Sequence, residues 1–409
     1  MAVIRPFRAL HPTAKSAADV ASVPYDVVST DEARRLTLNN PLSFLHVSRA
    51  EVDLPAGIHP YSAEVYERAS LNLERLQTAA PLVVDEKPSL YLYGLRTDQH
   101  EQVGLAGCFS LDEYDAGIVK PHERTRPDKE DDRTNHMVTV GAQTGIVFLT
   151  YRSDAAVDAV IERCSGQEPL LDILAPDEVR HTIWRLSADD VGDAVRSFAR
   201  VPAVYIADGH HRIASAARAR QELTSFDPEA EVHFFLGVAF PDVQTRILPY
   251  NRTVAGLAGQ TPEAFLDILR TRFLVKKSDT SVPPKGSVSM YLQRRWWSID
   301  FGLVREDMPL GSPVAKLDVA VLQDRLMEPL LGITDIRTDP RVTFIGGGRG
   351  TDALVQSVDS GEATVAFSLA AVTPMELLDI SDAGEMMPPK STWFDPKLRD
   401  GLLIHPLQS

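Results

Sequence analysis

The segment Val204-Tyr205-Ile206-Ala207-Asp208-Gly209-His210-His211-Arg212-Ile213 constrains this chain more than any other. A short apolar run of β type ends in Asp-Gly, and an alanine-rich stretch with Ala214, Ala216, Ala217 and Ala219 follows directly. The run needs a sheet to bury it, Gly209 permits a tight turn, and the alanines favour a helix. Strand, turn and helix in that order put backbone N–H groups without intrahelical partners beside two imidazoles and a guanidinium. A helix N-terminus of that kind attracts anions. Asp208 adds a carboxylate on the same turn, and phosphate next to a carboxylate points to phosphoryl transfer. The plainer alternative makes Asp208 the N-cap of a helix whose His and Arg side chains are only solvated. Paired histidines also raise a metal, but neighbours on a helix point roughly 100° apart, so His210 and His211 share one ion poorly.

The 409 residues are long for one core and favour two or three domains. At 44% hydrophobic and 24% charged, the composition is that of a globular protein. No run of about 18 apolar residues exists, so no membrane partner is expected. The start, Met1 to Phe7, reads as mature protein rather than a signal peptide. Cys108 and Cys164 lack metal-ligand spacing and read as free thiols of a cytoplasmic protein. The net charge of −15 argues against a nucleic-acid partner, which would need clustered Lys and Arg. A local pocket can still oppose that sign for a small anion.

Along the chain, Ala2–Phe7 reads as a short strand. Ser29–Thr37 and Ser62–Ala79 read as helices, the second with Val65, Ala69, Leu73 and Leu76 along one stripe. Strands are expected at Ser89–Arg96, Gly145–Tyr151 and Glu231–Phe240, and helices at Ser187–Arg200 and Pro262–Phe273. Val288–Leu292 and Trp296–Phe301 form a hairpin through Gln293-Arg294-Arg295. Asp112–Arg133, dense in charge and holding Pro121 and Pro127, reads as a long exposed loop. Ser312–Leu331 reads as one amphipathic helix. Gly346-Gly347-Gly348 is a flexible turn or a close backbone approach and, with no lysine after it, is not a P-loop. Met386–Phe394 is too irregular for a helix or central strand.

Two further constellations carry chemistry. In Lys120-Pro121-His122-Glu123-Arg124-Thr125, Glu123 can take a proton from a substrate hydroxyl; the plainer reading is a surface ion pair with Arg124 or Arg126. The downstream Asp128, Glu130, Asp131, Asp132 and Arg133 are most simply a solvated charge run. In Pro388-Pro389-Lys390-Ser391-Thr392, two prolines stiffen the backbone ahead of a cation and two hydroxyls, which suits phosphate or a carboxylate, or a tethered arm. Pro24-Tyr25-Asp26 and Pro249-Tyr250-Asn251-Arg252 are turn-like and can line a pocket or cap elements.

With these segments in order, the chain is similar over nearly its whole length to a bacterial and archaeal family known as domain of unknown function 1015. The core also resembles free serine kinases of the ParB/sulfiredoxin-like superfamily, which carry Lys-Pro-His-Glu, Asp-Gly-His-His-Arg and a late Pro-Lys-Thr-Thr. The resemblance implies an α/β (mixed α+β) fold: an N-terminal α/β region over 1–110, a ParB/sulfiredoxin-like core over 111–260, and a C-terminal α/β region over 261–409 whose tail completes the site. It implies catalytic Glu123 and Asp208. It implies phosphate contacts from Gly209, His210, His211, Arg212, Lys390, Ser391 and Thr392. Tyr25, Asp26, His122, Arg124, Thr125, Asn251 and Arg252 are pocket candidates. Here the interval from Glu123 to Asp208 is much longer than in the kinases, and residues 1–100 have no counterpart there. The sulfiredoxin cysteine is replaced by His210, which disfavours that redox chemistry, and no ParB-type helix-turn-helix is evident.

The expected activity is transfer of a phosphoryl group to the hydroxyl of a small molecule, with free L-serine the best guess. The donor is ADP, ATP or pyrophosphate, and Mg²⁺ is the expected cofactor, with no metal ligands assigned. The alternatives are a non-enzymatic sensor of a nucleotide or phosphometabolite, and a ParB-like nucleotide hydrolase. Oligomeric state is not legible.

Overall fold

The computed structural model describes residues 1–79, 82–302 and 312–407. The fold is mixed α/β. Contacts group the chain into two units, Met1–Thr245 with Pro396–Ser409, and Arg246–Asp395, so in chain order the second is inserted into the first. The unit bounds differ from the division at residues 110 and 260: the strand ending at Ser110 has ladder partners on both sides of it.

The first unit holds, among the described residues, a nine-stranded sheet. Its strands are β1 (Ile4–Arg5), β2 (Tyr91–Arg96), β3 (Glu101–Ser110), β4 (Val119–Lys120), β5 (Val147–Tyr151), β6 (Leu171–Leu174), β7 (Arg180–Arg185), β8 (Val204–Asp208) and β9 (Phe234–Pro241). They run in the order β4-β8-β5-β9-β3-β2-β7-β6, with β1 on β3. Pairs β4–β8 and β5–β9 are parallel, the others antiparallel. Every residue of β5 is buried, as a strand covered on both faces requires. Its Val147 and Leu149 join Leu105, Phe109, Val204, Ile206 and Phe235 in a core completed by helical Val157, Val160, Ile213 and Ala216. Cys108 and Cys164 are buried free thiols.

The helices at Thr30–Thr37 and Ala63–Ala79 follow the sequence pattern, and Ser29 closes the first with a capping box to Glu32. The expected loop over Asp112–Arg133 is corrected. A Ser110-capped helix spans Leu111–Asp115, β4 follows, and a helix, α1, spans Pro127–Val140. Pro127 opens α1, where its missing N–H is no loss. The charge run therefore lies on a helix, and it is not wholly solvated. Asp132 is buried, accepting from the Tyr66 hydroxyl at 3.1 Å and Arg133 Nε at 2.8 Å.

Among the described residues the second unit holds a six-stranded antiparallel sheet from β10 (Tyr250–Val254), β11 (Leu274–Lys277), β12 (Ser287–Leu292), β13 (Arg295–Asp300), β14 (Val342–Gly346) and β15 (Val365–Leu369), in the order β11-β13-β12-β15-β10-β14. The expected helix over Ser312–Leu331 is also corrected. A 3₁₀ turn at Val314–Lys316 precedes an α-helix that begins at Asp318, and a π turn spans Gln323–Met327. Pro329 lies just beyond and has no N–H for the regular ladder, so the wider π turn sits where the α pattern loses a bond. Gly346 and Gly347 are the close approach: a side chain there would meet the Trp393 ring and Pro249. Among the described residues no helix is long and apolar enough to cross a membrane.

The β12–β13 hairpin turns on Gln293 and Arg294, at φ +51° and +57°, with Arg295 already in β13. Positive φ at both positions is the type I′ form of a two-residue hairpin turn, and an L side chain there costs on the order of 1 kcal/mol. Arg294 is exposed and its ion pair with Asp359 is long, at 3.7 Å. Replacement Arg294→Gly is expected to stabilise the second unit by about 1 kcal/mol, read as an upward shift of its urea midpoint. No shift, or a fall, would show that the side chain contributes more than its strain.

Candidate active site

Two neighbouring parallel strands lead toward the site, β8 running three residues past the end of β4. Val119 of β4 pairs with Val204 of β8, and Lys120 with Tyr205. Because the strands point the same way, Pro121-His122-Glu123 and Asp208-Gly209-His210 leave the sheet side by side. Carboxyl ends of parallel strands are where α/β sheets bind ligands. The β5–β8 register shifts between Ile206 and Asp208, an irregularity that re-aims Asp208 as the strand ends.

Gly209, at φ +99°, is the N-cap of the helix His210–Leu223, α2. This corrects the reading of Asp208 as N-cap; no side chain caps α2. A side chain at Gly209 would crowd Arg212 and the Val147 backbone at 3.3 Å, so position 209 needs glycine for space as well as for φ.

The two histidines hold the Glu123 loop against α2. His210 Nε2 accepts the His122 N–H at 3.3 Å, and His211 Nε2 accepts the Arg126 N–H at 3.0 Å. The His122 ring turns its Nδ1–H to the Ile206 carbonyl at 2.8 Å and meets the His210 ring edge-on, 4.5 Å between centroids. Burial pulls His122 down to about 4 and His210 well below the ordinary imidazole value, so both are neutral at pH 7. One ligand atom each of His122, Glu123 and His210 lie within 4.8 Å of one another. Arg126 pairs with Asp128 at 2.8 Å. Arg124 is exposed and Thr125 half-buried beside it.

Sequence reasoning missed Lys397. It returns with the C-terminal segment of the first unit and sets its Nζ 3.1 Å from Asp208 Oδ2. Burial alone would raise the Asp208 carboxyl; Lys397 and Arg212 outweigh it and hold the group well below the usual carboxylate range. The only sequence signal was position, a lysine in a turn-like Asp-Pro-Lys just past the late motif.

Arg212 faces inward rather than along the helix mouth. Its Nη1 donates to the Ile146 carbonyl at 2.9 Å, and its Nη2 lies 3.1 and 3.2 Å from the two Asp26 oxygens. Tyr25 stacks beneath, 5.6 Å from ring centroid to guanidinium. The pocket candidates Tyr25 and Asp26 are thus joined to the Asp-Gly-His-His-Arg turn. Asp400, a second missed residue, is buried here, with Oδ2 lacking a hydrogen-bond partner. Burial lifts its carboxyl to about 7, with Asp26 adding and Arg212 opposing. A small, partly open cavity of about 30 Å³ lies against Tyr25, Arg133, His136 and Arg212.

The remaining landmarks converge within the second unit. Buried Arg252 donates to the Lys390 carbonyl at 3.1 Å and the Pro389 carbonyl at 3.4 Å, and also to the Tyr250 carbonyl. Lys390 has φ +55° and its Nζ lies 5.6 Å from the Tyr250 ring centroid. Ser391 donates to the Pro388 carbonyl at 2.5 Å. Asn251 Oδ1 accepts the Leu369 N–H at 3.0 Å. Thr392 precedes a short strand, Trp393–Phe394, paired with Ile247–Leu248.

A family model described as protein of unknown function (DUF1015) matches residues 4–320. No curated protein matches. Among solved structures, a conserved hypothetical protein from Pyrococcus furiosus is 16% identical, covering 73% of this chain and 95% of its own, with TM-score 0.36. A free serine kinase in complex with AMP is 14% identical, covering 73% and 91%, with TM-score 0.37. SbnI with C-terminal truncation from Staphylococcus aureus is 11% identical, covering 74% and 87%, with TM-score 0.39. Likenesses this loose carry no argument about function.

The Arg212 site makes two predictions. Asp26→Asn removes the countercharge of a buried guanidinium. Breaking a fully buried pair costs about 3–5 kcal/mol; Asp26 is 37% exposed, so about 2 kcal/mol is expected. An unchanged urea midpoint would show that Arg212 does not depend on Asp26. The second concerns acid. Burial pulls His136 down to about 4, while the unfolded imidazole titrates near 6.5, and its Nε2–H donates to the Val47 carbonyl at 2.9 Å. Between those values the unfolded chain binds the proton first, so this group's stabilisation is whole above pH 6.5 and lost as pH falls toward 4. His136→Gln should make stability less steep over that window, measured by urea unfolding at pH 7 and pH 5; an unchanged slope would assign the acid sensitivity elsewhere.

Proposed function

The chain belongs to the DUF1015 family of proteins of unknown function, and from that premise we propose that it is a phosphotransferase acting on the hydroxyl of a small molecule. The observation that carries the reading is the meeting of Glu123 with His210 at the glycine-opened N-terminus of α2, where the parallel strands β4 and β8 lead and Asp208 ends the second of them. A carboxylate there can accept a proton, and the helix N-terminus can hold the charge of a transferring phosphoryl group.

In this reading Glu123 takes the hydroxyl proton. The hydroxyl oxygen then bonds to the donor's terminal phosphorus, and the bond from that phosphorus to the bridging oxygen breaks. The bridging oxygen keeps the electron pair and leaves with the rest of the donor. Gly209, His210 and His211 present the helix mouth to the phosphate oxygens. Lys397 holds Asp208 ionised and offers the cation nearest to it. Arg212, occupied by Asp26 and Ile146, acts as a positioning charge behind the turn. In the second unit the Lys390-Ser391-Thr392 loop is proposed as a phosphate-binding element in its own right. The motif resemblance to free serine kinases makes L-serine the first acceptor to try and ADP, ATP and pyrophosphate the donors.

The expected Mg²⁺ is not matched by its surroundings. Mg²⁺ takes an octahedron of oxygens, whereas the donors that converge here are two imidazoles and one carboxylate. No step above passes through it. A Mg²⁺ that arrives on the donor's phosphates belongs to the substrate.

The test crosses ADP, ATP and pyrophosphate against serine, threonine, homoserine and glycerate, followed by phosphorus NMR. One acceptor should yield a phosphomonoester, and Glu123→Gln should cut turnover about 10²–10⁴-fold with ligand affinity nearly unchanged. Release of orthophosphate without any acceptor would favour a hydrolase. Ligand binding with no turnover in any combination would make the protein a sensor.

A further inference from the structure

We infer that His122, Glu123 and His210 form a binding site for a borderline divalent transition cation of the Mn²⁺, Co²⁺ or Zn²⁺ class. The inference does not need the phosphotransfer reading, and either can fail alone.

Three observations support it. The first is convergence: two nitrogens and a carboxylate oxygen from two chain segments lie within 4.8 Å of one another. Ligands around such an ion sit about 2.0–2.2 Å from it, so the set must draw in by roughly 1 Å, within the reach of side-chain rotation. The second is orientation. The His122 Nδ1–H donates to the Ile206 carbonyl at 2.8 Å, which fixes the ring and leaves Nε2 as its lone-pair nitrogen. Metal-binding histidines are held in this way, through the nitrogen that does not bind the metal. The third is that His210 Nε2 accepts an N–H and so already carries a lone pair toward the same loop. That contact, at 3.3 Å, is long enough to yield to an ion.

The ligand chemistry selects the ion. Two imidazoles and one carboxylate suit first-row transition cations and leave positions open for water or substrate, while Mg²⁺ prefers oxygen. A carboxylate bound through one oxygen keeps the other for a proton, so Glu123 as ligand is compatible with Glu123 as base. An ion here would lie beside the helix mouth, where a substrate oxygen can complete its coordination.

The full chain, stripped with chelator, is titrated with Co²⁺ and followed by visible absorption and calorimetry. One equivalent should bind with d–d bands free of a thiolate charge-transfer band. Zn²⁺ should displace it, and a large excess of Mg²⁺ should not. His122→Gln and His210→Gln should each weaken binding beyond the roughly 10–100-fold typical of losing an outer partner. Circular dichroism identifies any variant that fails to fold; Glu123→Gln, at a half-buried loop position, then supplies the same readout. The competing set is Cys108, Glu231 and His405, also within 4.8 Å. Binding that survives the His122 and His210 changes but is lost in Cys108→Ser overturns the proposal, as does the absence of a Co²⁺ spectrum. Phosphoryl transfer with Mg²⁺ but no Co²⁺ binding would also overturn it while leaving the kinase reading intact.

Discussion

The parallel pairing of β4 with β8 is the constraint on which the chemistry of the first unit depends. Val119 opposite Val204 sets the register, and a slip of one residue would turn His122 and Glu123 to the other face of the sheet. A two-residue strand such as β4 is a weak anchor by itself. The register is reinforced from outside the ladder: His210 and His211 each accept a backbone N–H from the His122–Arg126 loop, and His122 donates back to Ile206 of β8. The histidine pair that first suggests ligand contacts thus also has a structural duty, pinning the loop that carries Glu123.

Charge at the site is organised locally against a strongly acidic whole. The chain carries a net −15, yet Arg212, Arg133 and Lys397 gather at one end of the first unit. Each has an acid within hydrogen-bond reach: Asp26 for Arg212, Asp132 for Arg133 and Asp208 for Lys397. Buried charges must be compensated in this way. The compensation is uneven. Asp208 is held ionised by two cations, while Asp400, facing both Arg212 and Asp26, sits near neutrality. Two carboxyls around one guanidinium therefore differ in proton affinity, as acid–base sites require.

Much of this was legible in the sequence, and the misses have physical causes. Val204–Ile213 announced strand, turn and helix because its apolar run, glycine and alanines agree with the local backbone. Asp112–Arg133 was misread because charge density was taken for exposure; a helix can carry that charge on one side and bury Asp132 and Met137 on the other. Pro127 was taken as a breaker where it serves as the first residue of α1. Lys397 and Asp400 left no local signature. They reach the site because the C-terminal segment returns to pair Asp400 with Ser22 and Ile404 with Leu10, contacts set by tertiary structure alone. Lys390, the lysine that sequence spacing favoured, lies in the other unit.

The second unit shows why its own landmarks travel together. Lys390 occupies a left-handed backbone conformation that an L residue adopts at a cost of order 1 kcal/mol. Such a conformation persists only where the surroundings fix it. Arg252 supplies that by binding the carbonyls of Pro389 and Lys390 from a fully buried position, and Ser391 adds a bond to Pro388. The prolines limit the alternatives the loop can sample. An arginine spent on carbonyls rather than on a carboxylate keeps its positive charge unneutralised beneath the loop, while Tyr250 steadies the Lys390 ammonium above it. Backbone strain and two cations are thus concentrated at one loop, held in place by Arg252, Ser391 and the prolines.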